Sequence, residues 1–337
     1  MLFRSGTVVF TADGNGRGLF GSLQITVGDG GTIVFNGNNS LADNSKNNIV
    51  NIESGGEIIC KGLEQFRRRL NLKGGTLTVA GGLNGGRAFE LYNAPSISVS
   101  ADSAFNSSNL NTQTPYVFLN GGSPTFTFSN NATLVNNVIY SSSGGITLAG
   151  TGTFINNSFN DRPITYGGET RVGGGMTLVL NAEHKNAGGY TIASGTRLMG
   201  CGAITGDGTV SLEGSNSKLC GSLSVKNLSC ADGSMIGDEW NPVSAVVTGS
   251  IAAKTDGAKI AVTNGYLAIG RDCDTSGFSS AQLTIHESGL VLSNSLTVAR
   301  LFANNATITL ANGASFKIGD RSLDCSKVTI EIGRAHV

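Results

Sequence analysis

Ile260-Ala261-Val262-Thr263-Asn264-Gly265-Tyr266-Leu267-Ala268-Ile269 carries two apolar pairs, each with one residue between its members, on either side of a polar break. Alternation of that kind sends side chains to opposite faces of an extended chain, so each pair marks a short strand with one buried face. The break holds Asn and Gly, the residues that tolerate left-handed backbone at a turn. The same order returns in Leu283-Thr284-Ile285-His286-Glu287-Ser288-Gly289-Leu290-Val291-Leu292. It returns again in Ile308-Thr309-Leu310-Ala311-Asn312-Gly313-Ala314-Ser315-Phe316-Lys317-Ile318, and near the N-terminus in Val50-Asn51-Ile52-Glu53-Ser54-Gly55-Gly56-Glu57-Ile58. Ile260 to Leu283 is 23 positions and Leu283 to Ile308 is 25, inside the range of solenoid repeats.

A unit this small cannot bury its apolar face alone, so its neighbours must stack on it. Short alternating pairs recur outside the clear copies, at Leu77/Val79, Ile97/Val99, Phe126/Phe128, Ile146/Leu148, Leu178/Leu180 and Leu223/Val225. Gly, Asn or Ser stands in most gaps between them. The composition of the 337 residues agrees: 49 are Gly, 5 are Pro and 14% are charged, against about 25% charged in an ordinary soluble domain. The hydrophobic share of 39% is enough for a core and excludes wholesale disorder. No apolar run is long enough for a transmembrane helix. A β-sandwich needs longer strands in domains of about 100 residues, and no boundary divides the chain that way. The fold expected is all-β, a parallel β-helix (β-solenoid) of short strands with Gly/Asn-rich turns.

Lys plus Arg and Asp plus Glu both total 23, giving a net charge of zero. A nucleic-acid partner needs a basic footprint to displace counterions from phosphate, so none is expected. The one basic cluster, Arg67-Arg68-Arg69, reads as a solvated turn or strand edge.

Both ends read as foreign to the protein. Met1-Leu2-Phe3-Arg4-Ser5 matches the in-frame translation of a sequencing adapter, and Glu331-Ile332-Gly333-Arg334-Ala335-His336-Val337 matches that of its complement. Setting residues 1–5 and 331–337 aside leaves 6–330 as one continuous β-helix repeat region, cut from something longer.

Residues 176–225 resemble the autotransporter-associated β-strand repeat, approximately L-x-L-x-G-x-N-x-Y-x-G-G-T-x-I-x-x-G-T-L. The matching positions are Met176, Leu178, Leu180, Asn181, Gly188, Gly189, Tyr190, Thr191, Ile192, Gly195, Thr196 and Leu198, with Gly200, Gly202, Ile204 and Gly206 as its tail. Arg197 departs from the pattern by interrupting the Thr-Leu, and Asn181-Ala182-Glu183-His184-Lys185 replaces a small, Asn-rich segment. The resemblance implies a right-handed parallel β-helix in the passenger region of a bacterial protein at the cell surface, associated with the outer membrane, or secreted. It also implies a C-terminal translocator barrel in the full-length chain. The repeat has no catalytic residues to transfer.

The residues themselves offer little chemistry. His184 falls in a polar loop and His286 at an outward position, and neither has a partner at metal-ligand spacing. Gly173-Gly174-Gly175 lacks the Lys-Ser/Thr of a phosphate loop and reads as a turn. Arg271-Asp272-Cys273-Asp274 lacks the glycine and distal glutamate of a calcium loop. No catalytic, cofactor or metal residues are assigned, and no cofactor is expected. The best candidate for a glycan-contact loop is Asp238-Glu239-Trp240, which holds the only tryptophan; neighbouring carboxylates in sequence are not, however, a positioned acid–base pair. Among six cysteines, Cys201 and Cys220 lie in similar contexts 19 positions apart, about one coil, and are candidates to stack in adjacent coils.

The expected function is a non-enzymatic passenger or stalk acting in adhesion or display, with glycans or a host or matrix surface as partners. A β-helix polysaccharide lyase or hydrolase, or the scaffold of one, is the alternative. A spacer without a ligand is a further one.

Overall fold

A computed structural model describes residues 2–10, 24–36, 49–60, 64–66, 69–79, 89–92, 96–107, 117–120, 123–137, 139–142, 144–157, 163–185, 188–319 and 323–333. Arg67 and Arg68 of the basic cluster, and residues 334–337 of the adapter-like end, lie outside them. About two thirds of the described residues (67%) are strand and none is α-helix, and the parallel strands stack as a β-solenoid of about 11 turns. None is part of a helix long and apolar enough to cross a membrane. Two compact units divide the chain: Met1–Thr170 with Gly175–Ala182, and Arg171–Gly174 with Glu183–Val337.

The described residues of the first unit form three parallel ladders. One runs through Gln24–Val27, Ile49–Glu53, Arg69–Lys73, Ser96–Ala101 and the start of Thr125–Asn136. A second runs through Gly31–Phe35, Glu57–Cys60, Thr76–Val79 and Ser103–Ser107. The third joins Glu64–Phe66, Phe89–Tyr92, Val117–Asn120, Ile139–Ser142 and Thr165–Tyr166. Register puts Ile25, Val50, Leu70, Ile97, Phe126 and Leu148 in one column, and every one of them is buried. Each such side chain contributes about 1.5–3 kcal/mol on burial. Phe126 and Phe154 meet edge to face at 5.3 Å.

This core also carries a polar column. Asn136 and Asn156 are paired in register and are both buried. Asn136 Nδ2 donates to Asn156 Oδ1 at 2.6 Å, and Asn156 Nδ2 donates to Tyr166 Oη at 3.4 Å. A buried amide costs little only while it is paired. Asn156→Ala therefore lowers stability by about 2 kcal/mol through loss of both hydrogen bonds; urea unfolding of the two proteins measures it.

In the second unit Lys259–Ile269, Gln282–Leu292, Arg300–Leu310 and Leu323–Ile332 pair in that order. Each turns a corner at its middle, where Asn264, Glu287, Asn305 and Lys327 adopt left-handed backbone with φ between 50° and 55°. Gly265 has φ 146°, and a Cβ there would collide with the Val243 carbonyl, so only glycine fits.

The register corrects the phasing read from the sequence. Ile260 pairs with Leu283, Leu283 with Leu301, and Leu301 with Leu323, giving coils of 23, 18 and 22 residues. Ile308 and Leu310 pair with Leu290 and Leu292, so the copy read from Ile308 begins half a coil late.

His184 also differs from its reading as a polar-loop residue, being fully buried. A backbone bridge to the strand Ala203–Leu212 explains this. His184 N donates to Ala203 O at 2.6 Å and Thr205 N donates to His184 O at 2.9 Å. The ring faces inward, with Nδ1 2.6 Å from Tyr190 Oη and Nε2 without a partner.

Candidate functional site

The most structured surface feature of the second unit grows from three stacked turns. The Thr196 hydroxyl donates to Ala193 O at 2.6 Å, Ser217 to Gly214 O at 2.7 Å and Ser234 to Ala231 O at 2.7 Å. All three hydroxyl-bearing residues are buried. Each lock fixes the start of a short strand, so the next residues, Arg197, Lys218 and Met235, fall in register with outward side chains. Two cations thus stand one above the other on adjacent coils, an arrangement that needs an anion.

Asp238 is that anion. The strand Ser234–Ile236 ends at Gly237, whose φ is 83° and where a Cβ would strike the Thr263 carbonyl. The chain then folds over the two cations. Arg197 Nη2 donates to Asp238 Oδ2 at 2.8 Å and Lys218 Nζ donates to the same oxygen at 3.0 Å. Oδ1 accepts from Trp240 N at 3.0 Å, Asn241 N at 2.7 Å and Asn241 Nδ2 at 2.9 Å. From the next coil, Asn264 Nδ2 donates to Asp238 O at 3.1 Å. Burial pushes the Asp238 carboxyl up, but hydrogen bonds from Asn241, Lys218 and Arg197 outweigh it and hold the group well below the usual carboxylate range.

The three residues of the candidate glycan loop therefore separate. Asp238 faces inward with its oxygens occupied by five donors and acts as a strut. Glu239 and Trp240 face solvent, the indole being 79% exposed. Glu239, with Asn216, Lys218, Met235, Asp238, Asn264, His286 and Glu287 among others, lines a groove of about 620 Å³, and Trp240 is the next residue along the chain. A shallower depression of about 310 Å³ continues from His286 to Asn304 and Ser326. These three are in register on successive coils, with Ser326 Oγ donating to Asn304 Oδ1 at 2.9 Å.

Sequence reasoning missed Arg197, Lys218 and Asn264 as parts of this site. The signal for Arg197 was its interruption of the Thr-Leu in the resembled repeat. Lys218 carries no such mark, because a surface lysine is ordinary in any strand.

Cys201 and Cys220 do not stack. Leu198 pairs with Leu219, which sets Cys220 opposite Met199 and places Cys201 two positions further on. Cys220 is buried and Cys201 exposed, and neither is in a disulfide. Burial first, then the Asp238 charge, push the Cys220 thiol up to about 11. Asp274 accepts from Ser276 N at 2.9 Å at the start of the 3-10 turn Ser276–Phe278. Among the described residues no three His, Cys, Asp or Glu side chains are grouped to hold a metal ion.

No family model, curated protein or solved structure matches the chain.

Proposed function

We propose that the chain is part of a non-enzymatic adhesive stalk, displayed on a bacterial surface or secreted, that contacts glycans through Trp240 and the groove that Glu239 lines. The repeat resemblance over residues 176–225 supports the surface placement and the passenger-like role, with a translocator barrel in the full-length protein. A β-solenoid suits a scaffold for either adhesion or polysaccharide chemistry.

One observation carries the glycan contact: a tryptophan held almost wholly in water by a buried, fully hydrogen-bonded carboxylate. Leaving an indole in solvent forgoes the burial of about 150–250 Å² of surface. Fixing the loop with charged groups from two coils makes that exposure a built feature. An exposed aromatic face on the loop that supplies Glu239 to a polar groove offers stacking to a sugar ring, and the groove offers hydrogen bonds to its hydroxyls.

Trp240→Ala is expected to weaken glycan binding about tenfold, a loss of about 1.4 kcal/mol, while leaving the unfolding transition unchanged. Titration against immobilised oligosaccharides checks it. Equal binding by the variant would remove the loop from the site. Release of shorter sugars from a polysaccharide incubated with the chain would instead replace adhesion with the lyase or hydrolase reading.

A further inference from the structure

We infer that the groove lined by Glu239 and Glu287 selects glycan chains bearing free amines over neutral chains and rejects polyuronates. This rests on the glycan reading proposed above and adds the charge class of the ligand.

The charges within the groove decide it. Lys218 is its cation, and that ammonium is already committed to Asp238 at 3.0 Å, as is the guanidinium of Arg197 at 2.8 Å. A uronate carboxylate arriving here would have to displace Asp238, which accepts three further hydrogen bonds from its own loop. Both cations are thus unavailable to an anionic ligand. The carboxylates of Glu239 and Glu287 differ. Both are exposed, both line the groove, and neither takes part in an ion pair among the described residues. They come from different parts of the site: Glu239 from the Asp238 loop, Glu287 from the corner of Gln282–Leu292. The nearest comparable cation on that ridge, Lys327, stands at the corner two coils beyond Glu287.

The groove therefore presents two unneutralised anions together with polar groups of Asn216 and Asn264. The residue after Glu239 in the chain, Trp240, is exposed, and an indole face attracts cations. Protonated amines on a sugar chain satisfy both features together. An N-acetylated chain of the same shape offers hydroxyls and amides but no charge, and a uronate chain meets repulsion from both glutamates.

Calorimetric titration of the full chain with three oligosaccharides of equal length tests this: an oligomer of glucosamine, its N-acetylated form and an oligogalacturonate. The glucosamine oligomer is expected to bind about tenfold tighter than the N-acetylated one, as two exposed charge pairs allow. The preference should shrink in high salt, and the oligogalacturonate should show no heat. In the double variant Glu239→Gln with Glu287→Gln the preference falls to within about twofold, while circular dichroism stays that of the parent. Equal or tighter binding of the N-acetylated oligomer, or any preference for the uronate, overturns the charge inference and leaves the glycan site standing. Failure of all three oligomers to bind removes the glycan reading and this inference with it.

Discussion

Asp238→Ala is expected to lower the unfolding free energy by about 3 kcal/mol and to free the tryptophan loop. Removing one partner of a buried ion pair costs about 3–5 kcal/mol, because the charge left behind has lost its compensation. Here two charges are left behind, Arg197 and Lys218. Their side chains are 28% and 23% exposed, so water recovers part of the loss and the lower end of the range applies. Three loop hydrogen bonds vanish as well. The single tryptophan provides a local readout: fluorescence anisotropy of Trp240 should fall in the variant at temperatures where the fold is intact. The pH dependence has a definite sign. The folded carboxyl titrates below its ordinary value, so its contribution is fully present above about pH 4 and is lost as pH falls through the folded value. Below pH 4 the parent should lose stability more steeply than the variant. A cost under about 1 kcal/mol together with unchanged anisotropy would mean that the loop holds itself without the clasp.

That clasp shows where the sequence was legible and where it was not. Each strand pair such as Ile260/Val262 or Leu283/Ile285 was readable, because period-two burial depends only on neighbours along the chain. The phase of the copies was not. Each of Lys259–Ile269, Gln282–Leu292 and Arg300–Leu310 carries two apolar-x-apolar arms around a corner, and nothing local distinguishes Ile308/Leu310 from Leu301/Ala303. Only the pairing with Leu290 and Leu292 decides it. The cysteines failed for the same reason: a spacing of 19 suited an average coil, while the actual offset from Leu198 to Leu219 is 21. A shift of two residues keeps the face of an ideal strand, but Cys201 lies past the end of Arg197–Gly200, where alternation stops. The Asp238 loop was visible as a cluster of Asp, Glu and Trp. Its supports at Arg197 and Lys218 lie 41 and 20 positions away in sequence. Contacts across coils depend on the length of every intervening turn, which the chain does not state residue by residue.

His184 gives the second large effect, a loss of about 4 kcal/mol as pH falls from 6.5 to 3. The ring is fully buried, and burial lowers its pKa from 6.5 to about 3. The unfolded chain therefore takes up the proton first. Stability is complete above pH 6.5, declines as pH drops, and stops declining near pH 3, where the folded ring also becomes protonated. At about 1.4 kcal/mol per pH unit the window spans somewhat more than 4 kcal/mol. The structure explains why the folded state resists the proton. Nδ1 is engaged with Tyr190 Oη, and Nε2 is enclosed with no partner, so an imidazolium would carry a charge and a donor into apolar surroundings. His184→Phe keeps a ring in that space and removes the titration. At pH 7 the variant should be less stable by about 1 kcal/mol, the worth of the hydrogen bond to Tyr190. At pH 4 the order should reverse, with the variant ahead by about 2 kcal/mol. The other acids and bases titrate alike in both proteins, so the difference between the two urea-unfolding curves isolates this ring. Parallel curves from pH 7 to pH 4 would show that His184 reaches water before the coil around it opens.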